Sequence, residues 1–137
     1  MLIVRTEVRP SPIHGLGAFL LEPVSKGDAV WERGPVDVEM GIDEVDALPR
    51  VAREFVREYG TFSRLFGTWF VCGDDARFIN HASGATATLR STDVQIDSVN
   101  TAARDLAVGD ELTIDYSTIC DAVHDDRPAY VKAANAA

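Results

Sequence analysis

Three short stretches, far apart in the chain, carry residue types that could do chemistry. They are "GLG" at Gly15 to Gly17, "RFINHA" at Arg77 to Ala82, and "ELTIDY" at Glu111 to Tyr116. Glycine lets a backbone approach a ligand closely because it has no Cβ, and an asparagine amide offers both donors and an acceptor. Each stretch taken alone is also compatible with a tight turn or with buried polar groups that bond to the backbone.

Several familiar chemistries are not supported by the spacing of the residues. The glycine pair lacks the third glycine and the following helix of a dinucleotide-binding fingerprint. The three histidines, His14, His81 and His124, form no metal-ligand spacing, so no metal is expected. No serine lies on a GxSxG elbow, which argues against a Ser-His-Asp hydrolase. The acids Asp110, Glu111 and Asp115 near a strand are more typical of a solvated turn than of an acid/base pair.

The length and composition limit the classes of protein that the chain can represent. Its 137 residues favour a single domain, and contents of 46% hydrophobic and 26% charged residues are ordinary for a soluble globular protein. No apolar run approaches the roughly 20 residues of a membrane span, and the N-terminus does not resemble a secretory signal, so a cytoplasmic location is expected. Cys72 and Cys120 form no CxxC pair, which favours two buried thiols over a disulfide or zinc scaffold.

The charge balance indicates the kind of partner. With 22 acidic residues against 13 basic ones the net charge is −9, so direct binding to the phosphates of nucleic acids is disfavoured. A basic protein partner fits this charge better, although an acidic surface also promotes solubility.

Apolar alternation and turn signals predict a mostly β domain of short strands with one helix inserted in the middle. Strands are predicted at 2–8, 18–21, 29–32, 87–89 and 94–99 and, after a turn at Gly109, at 111–116. The helix is predicted between Asp43 and Tyr59, where apolar residues recur at helical spacing. Pro49 interrupts that pattern, so the longer part of the helix is expected to begin at about Ala47 with Asp46 as its cap.

Two further regions, one after the helix and one at the end of the sequence, differ in composition. The segment 62–72 is rich in aromatic residues, which predicts core packing of a strand and its approach. The last residues are polar and end in "KAANAA", so they contain little that must pack. We therefore expect a domain core at 1–118 and a partly disordered C-terminal segment at 119–137.

The order of the stretches along the chain resembles a known family. "SPIHGLGAF", a "KGD" turn, a helix in the middle, "RFINHA" and "VGDELTIDY" together closely resemble the SET-domain family of protein lysine methyltransferases, over about residues 4–118. The resemblance implies an α+β, β-clip type fold of several short-stranded sheets with a knot-like C-terminal crossing. The small size is similar to that of the minimal viral and bacterial members, some of which act as dimers, so a homodimer is one expected arrangement.

The resemblance also implies an activity. Such proteins transfer a methyl group from S-adenosylmethionine to the side-chain amine of a lysine in a protein substrate, and they release S-adenosylhomocysteine. The "GLG" backbone would contact the methionine part of the cofactor, the Asn80 amide would bind the cofactor, and the backbone around His81 would read the adenine edge. The full set implied for the cofactor pocket is Gly15, Leu16, Gly17, Arg77, Phe78, Asn80, His81 and Tyr116.

Further roles follow from the same resemblance. Tyr116 matches the family's catalytic tyrosine, whose oxygen would help to position the transferred methyl group. Candidates for the apolar walls of the lysine channel are Tyr59, Phe62, Trp69 and Phe70, with core packing as an equal alternative. Arg77 could flank the pocket or form an ion pair with Asp74 or Asp75.

Two departures from the family pattern lie in and after the motifs. The family's Ser-Cys-x-Pro-Asn after the Asn-His pair is replaced by Ala82 to Thr86, and Tyr116 is followed by Cys120 rather than by a cysteine-rich zinc segment. The lysine channel must then be completed by residues 117–130, by a partner subunit or by the substrate. These departures keep an alternative open, namely a catalytically weak or inactive SET module that binds a peptide or dimerises.

Overall fold

The computed structural model describes residues 1–63, 66–91 and 99–118 of the chain. Within these residues, ten short strands and two α-helices are defined. The strands are β1 (Thr6–Pro10), β2 (Leu16–Leu20), β3 (Ala29–Glu32), β4 (Val38–Gly41), β5 (Thr61–Ser63), β6 (Thr68–Val71), β7 (Asn80–His81), β8 (Leu89–Ser91), β9 (Val99–Ala102) and β10 (Thr113–Ile114). The helices are α1 (Ile42–Asp46) and α2 (Arg50–Tyr59). The mostly β architecture predicted from the sequence is confirmed.

The strands of the described residues form four small sheets. β1 pairs with β2, β9 lies between β3 and β8, and β6 lies between β4 and β5, all in antiparallel fashion. The fourth sheet is the parallel pair of β7 and β10, in which Asn80 lies opposite Thr113 and His81 opposite Ile114. This pair brings two motifs together that are distant in the sequence.

Two hydrophobic clusters hold the sheets together. The larger cluster consists of Ala18, Leu20, Val24, Val30, Trp31, Ala76, Ile79, Leu89, Ala102, Leu106, Leu112 and Ile114. The smaller cluster, which includes Val56 of α2, consists of Val45, Val56, Phe62, Trp69 and Val71. Ala18 follows the glycine pair, Ile79 precedes Asn80 and Ile114 lies close to Tyr116, so packing of the larger cluster positions all three motifs.

The helical region differs from the prediction. Pro49 separates α1 from α2 and occupies the N-cap position of α2, with φ −52° and ψ 149°. The expected start near Ala47 with Asp46 as the cap is therefore wrong, because Ala47 ends α1 instead. Proline has no N–H to donate and pushes the preceding residue out of the helical region, so the chain begins a new helix after it. The first bond of α2 runs from the Arg53 N–H to the Pro49 carbonyl at 3.0 Å.

Several strand boundaries also differ. The first strand begins at Thr6 rather than at Leu2, which forms an isolated bridge with Trp31. Strand β4 was not predicted, and within the predicted strand 111–116 only Thr113 and Ile114 form one. Among the described residues, neither helix has the length and apolar character needed to cross a bilayer.

Some predictions fall on the part of the chain that the structure does not describe. Most of the predicted strand 94–99, the segment 119–137 and Cys120 lie outside the described residues. The domain boundary and the knot-like crossing therefore stay predictions.

Candidate active site

The two glycines of "GLG" serve different purposes, Gly15 in the turn before β2 and Gly17 within that strand. Gly15 has a φ of +46°, a left-handed conformation that glycine adopts readily, and a Cβ there would meet no atom within 4 Å. Gly17 is crowded, because a Cβ there would lie 2.2 Å from Glu111 Oε1 and 3.1 Å from Ser11 Cβ. Gly15 thus allows the turn, and Gly17 allows a carboxylate to pack against the strand.

Asn80 ties the glycine turn to the parallel strand pair. Its side chain is buried, and Nδ2 lies 3.0 Å from each of three acceptors, the carbonyl oxygens of His14 and Leu16 and Oε1 of Glu111. An amide nitrogen carries two hydrogens, so the three acceptors share them. If the amide were flipped, its oxygen would face these three oxygens, so the nitrogen must be the atom that points toward them.

Glu111 connects three parts of the site. The Ser11 hydroxyl donates to both carboxylate oxygens, at 2.8 and 3.0 Å, and the residue also forms a backbone bridge with Phe19. The prediction of a solvated turn fits Asp110, whose carboxylate accepts the Ala107 N–H on the surface, but it is wrong for Glu111. The partner Ser11 lies 100 positions earlier, so no local pattern could have indicated this contact.

His81 is buried beneath the "ELTIDY" segment. The Tyr116 N–H donates to His81 Nδ1 at 3.1 Å, so this nitrogen acts as an acceptor and carries no proton in this arrangement. Asp115 Oδ1 lies 3.9 Å from the same nitrogen, a contact that would become an ion pair only on protonation of Nδ1. The His81 and Tyr116 rings meet edge to face with their centroids 5.4 Å apart. The buried imidazole therefore holds Tyr116 by its backbone and by its ring.

Tyr116 begins a short 3₁₀ turn and is half-buried. Its hydroxyl donates to the carbonyl oxygen of Ile79, the residue before Asn80. That bond uses the hydroxyl hydrogen, so the phenolic oxygen presents lone pairs to its other neighbours. Tyr116 is thus bonded to the segment around Asn80 twice, by its backbone N–H to His81 and by its hydroxyl to Ile79.

Asp115 holds the segment that departs from the family pattern. Its Oδ2 accepts the Gly84 N–H at 2.9 Å, and its Oδ1 accepts the Ser117 N–H at 3.0 Å and the Ser117 hydroxyl at 2.7 Å. Burial raises the pKa of the Asp115 carboxyl, but the hydrogen bonds from Ser117 and Gly84 together outweigh it and hold the pKa below its ordinary value. The segment without Pro-Asn is therefore tethered to the residue that precedes Tyr116.

Arg77 and Phe78 lie in the 3₁₀ turn just before Asn80. The guanidinium carbon of Arg77 is 4.5 Å from the Phe78 ring centre, a cation–π contact. Arg77 Nη1 donates to the backbone carbonyl of Asp74 at 3.2 Å, while the Asp74 carboxylate accepts two backbone N–H groups. Arg77 thus contacts Asp74 through the main chain rather than through an ion pair.

The four aromatic residues predicted for the lysine channel lie in different surroundings. Phe62 and Trp69 are buried in the smaller cluster with ring centroids 5.4 Å apart, so both have a packing role. Phe70 is half-buried against the larger cluster. Tyr59 is 37% exposed and its ring lies 5.9 Å from that of Phe78, next to the Asn80 segment. The channel itself stays a prediction.

An open cleft of about 630 Å³ lies beside β7, and of the residues predicted for the cofactor pocket His81 alone lines it. Its walls come from the loop before the glycine pair, from β7 and from the strand before Tyr116. The lining residues are Ile13, His81, Ala82, Thr86, Thr88, Arg104, Asp110, Glu111 and Thr113. Its volume lies in the range of about 300–1,000 Å³ that is usual for small-molecule sites.

The other side chains of interest are those that could bind a metal ion and the thiol of Cys72. Within residues 1–63, 66–91 and 99–118, no three His, Cys, Asp or Glu side chains come together as a metal-binding group. Cys72 lies against the larger cluster, and burial raises the pKa of its thiol to about 12. Such a thiol stays protonated near neutral pH, which disfavours a nucleophilic role.

Comparison with known proteins identifies the fold. No protein-family model and no curated protein sequence matches the chain. Among solved structures, a candidate histone methyltransferase of Plasmodium falciparum is similar, with a TM-score of 0.56 and 18% identity over 82% of this chain and 93% of that one. Polycomb Repressive Complex 2 of Chaetomium thermophilum bound to GSK126 is similar with a TM-score of 0.65 and 21% identity over 97% of this chain.

These similarities show that the chain has a SET-domain fold. The apo form of the Chaetomium thermophilum complex gives a TM-score of 0.64 at 22% identity over 96% of this chain. This chain spans only 16% or 17% of the matched chains in these two structures. At such identities the likeness establishes the fold, and the fold expected from the three sequence motifs is confirmed.

Proposed function

We propose that this protein is an S-adenosylmethionine-dependent methyltransferase that acts on the side-chain amine of a lysine in a protein substrate. One observation carries this function. The glycine turn, Asn80 and Tyr116 are distant in the sequence, yet Asn80 bonds to the turn and Tyr116 bonds to the two residues that flank Asn80. His81 of the same segment lines an open cleft. The SET-domain fold, shared with a candidate histone methyltransferase, supports the same reaction class.

The backbone acceptors beside Asn80 would suit the ammonium end of this cofactor. The carbonyl oxygens of His14 and Leu16 both lie 3.0 Å from the Asn80 amide nitrogen. This concentration of acceptors makes the region electronegative. An ammonium group brings both hydrogen-bond donors and a positive charge, and such a region favours both.

Each part of the cofactor then has residues to hold it. The backbone of Gly15, Leu16 and Gly17 would contact the methionine part, because glycine leaves room for close approach. Asn80 would use its amide, and the backbone around His81 would read the adenine edge. The flanking pair would be Arg77 and Phe78.

When bound, S-adenosylmethionine supplies an electrophilic methyl carbon on a sulfonium sulfur. The protein must deliver a neutral lysine amine, and an apolar channel lowers the pKa of that amine by disfavouring its charged form. Tyr59, Phe62, Trp69 and Phe70 are the proposed channel residues; Tyr59 is the most exposed of the four, and Phe62 and Trp69 would support the wall from the smaller cluster. Tyr116 would use oxygen lone pairs to stabilise the positive charge that develops during transfer.

The charge of the chain indicates the class of substrate. A net charge of −9 favours encounter with a lysine-rich, basic protein and disfavours nucleic acid. A homodimer is one proposed way to complete the channel, and a cytoplasmic location is consistent with the expected substrate class. Substrate and dimer are both part of the proposal.

A second candidate function is a non-catalytic SET module that binds a peptide or dimerises. The departure at Ala82 to Thr86 favours it, since this segment lacks the family's Pro-Asn and is tethered instead by Asp115. Cofactor binding without turnover on any basic protein would support this candidate.

A labelled-methyl transfer assay on whole-cell lysate tests the leading function. We expect transfer by the wild type and a loss of at least about tenfold in Tyr116→Phe, which corresponds to about 1.4 kcal/mol of barrier. Equal transfer by Tyr116→Phe would contradict the assigned role. Absence of transfer by a wild type that binds the cofactor would favour the non-catalytic module.

A further inference from the structure

The Glu111 carboxylate lies at the junction of the glycine turn and Asn80. One oxygen is 3.0 Å from Asn80 Nδ2, and both oxygens lie within 3.0 Å of the Ser11 hydroxyl. The same oxygen would be 2.2 Å from a Cβ at position 17. The chain therefore keeps this position free of a side chain, and the carboxylate packs directly against β2.

This placement controls the direction of the Asn80 amide. Two of the acceptors around Nδ2 are backbone carbonyls, whose positions follow from the turn. Glu111 adds a third acceptor from a different part of the chain, and its negative charge strengthens the bond to an N–H donor. Reversal of the amide would bring its oxygen against a carboxylate, which is strongly disfavoured.

We propose that Glu111 is a positioning residue for cofactor binding: one carboxylate oxygen fixes the orientation of the Asn80 amide and holds it against the Gly15 to Gly17 turn. This inference rests on the proposed function for its ligand. Glu111 acts through Asn80 and takes no part in the transfer itself.

Three single variants separate the acceptor from the bulk and from the charge. Glu111→Gln keeps an oxygen acceptor at nearly the same size, whereas Glu111→Ala removes the acceptor. Glu58→Ala is the matched control, because it removes a carboxylate of the same type from an exposed position on α2. Calorimetric titration with S-adenosylhomocysteine gives the affinity of each, and thermal unfolding without ligand gives the stability.

The expected order of affinities is specific to a positioning role. Glu111→Ala should bind S-adenosylhomocysteine at least about tenfold more weakly than the wild type, since a hydrogen bond to a charged group is worth roughly that factor or more. Glu111→Gln should stay within about threefold, and so should Glu58→Ala. Unchanged affinity in Glu111→Ala would overturn the inference, as would equal losses in Glu111→Gln and Glu111→Ala.

A compensating pair tests the contact directly. Asn80→Asp places a carboxylate against Glu111, and like charges repel at this distance. In the double variant Asn80→Asp with Glu111→Gln, the new amide can donate to the new carboxylate. We expect the double variant to bind at least about fivefold more tightly than Asn80→Asp alone. Additive losses would overturn the inference.

A measurement without ligand separates this inference from the proposed function. The side-chain NH₂ protons of Asn80 should exchange slowly with solvent in the wild type and in Glu111→Gln, and faster in Glu111→Ala, because the bond to Glu111 protects them. Slow exchange together with no binding by the wild type would reject the proposed function and keep the positioning contact. Equal exchange in all three proteins would reject the contact.

Discussion

Replacing Gly17 with alanine should destabilise the protein through one identified side chain. The new Cβ would lie 2.2 Å from Glu111 Oε1 and 2.9 Å from the carboxyl carbon, whereas ordinary contact begins at 3.4 Å. The carboxylate must therefore move by roughly 1 Å, which is more than hydrogen bonds to the Ser11 hydroxyl and the Asn80 amide tolerate.

The cost follows from the bonds that are lost. Each hydrogen bond contributes about 1 kcal/mol net, and a buried donor left without its acceptor costs somewhat more. Loss of the bonds from Ser11 and Asn80 thus amounts to about 2–3 kcal/mol. For a chain of 137 residues this corresponds to a decrease in Tm of about 7–10 °C. Urea or thermal unfolding measures the change.

A double-mutant cycle distinguishes this mechanism from general strain. In a Glu111→Ala background the clash with the carboxylate is absent and only the 3.1 Å approach to Ser11 Cβ remains, so Gly17→Ala should cost at least about 1 kcal/mol less than in the wild type. Gly15→Ala is the control, because its cost of about 1–2 kcal/mol comes from the left-handed backbone and should be the same in both backgrounds. An equal cost of Gly17→Ala in the two backgrounds would refute the reasoning.

Two further perturbations test other parts of the structure. Asp115→Asn should lower stability at about pH 7, and the deficit should shrink by about pH 3. A carboxyl whose pKa is lowered in the folded state stabilises the protein above its ordinary pKa of about 4, and it loses that contribution as the pH falls through the folded pKa. Urea unfolding measures the deficit at both pH values, and an unchanged deficit would contradict the assignment. Val56→Ala should cost about 1–3 kcal/mol of unfolding free energy because Val56 is buried. Val51→Ala on the same helix should change stability by less than about 0.5 kcal/mol because Val51 is 70% exposed. Similar values for the two variants would contradict the described packing of α2.

The sequence was sufficient to predict the class of fold and the motifs that meet. Gly15, Asn80 and Tyr116 stand in motifs whose order is specific, and the structure brings the motifs together through bonds from Asn80 to Leu16 and from Tyr116 to Ile79 and His81. Proline chemistry also predicted a break in the helical pattern at Pro49, since proline breaks a helix interior. The boundary near Ala47 was wrong because Pro49 was placed in the first turn of the helix, whereas it stands at the N-cap position of α2.

The contacts of the side chains could not be predicted in the same way. Glu111 looked like part of a solvated turn because its neighbour Asp110 is one, and its true partners lie 31 and 100 positions away. Phe62 and Trp69 have the same residue types as a ligand-contacting wall, and only their burial reveals a packing role. Contacts of this kind depend on tertiary packing and leave no periodic pattern in the sequence.

Cofactor binding tests the central claim most directly. Calorimetric titration of the wild type with S-adenosylmethionine should show saturable heat that S-adenosylhomocysteine suppresses by competition. Asn80→Ala should bind at least about tenfold more weakly, because it removes the amide that joins the glycine turn to β7. No heat from the wild type at high micromolar concentration, or equal affinity in Asn80→Ala, would contradict the proposed site.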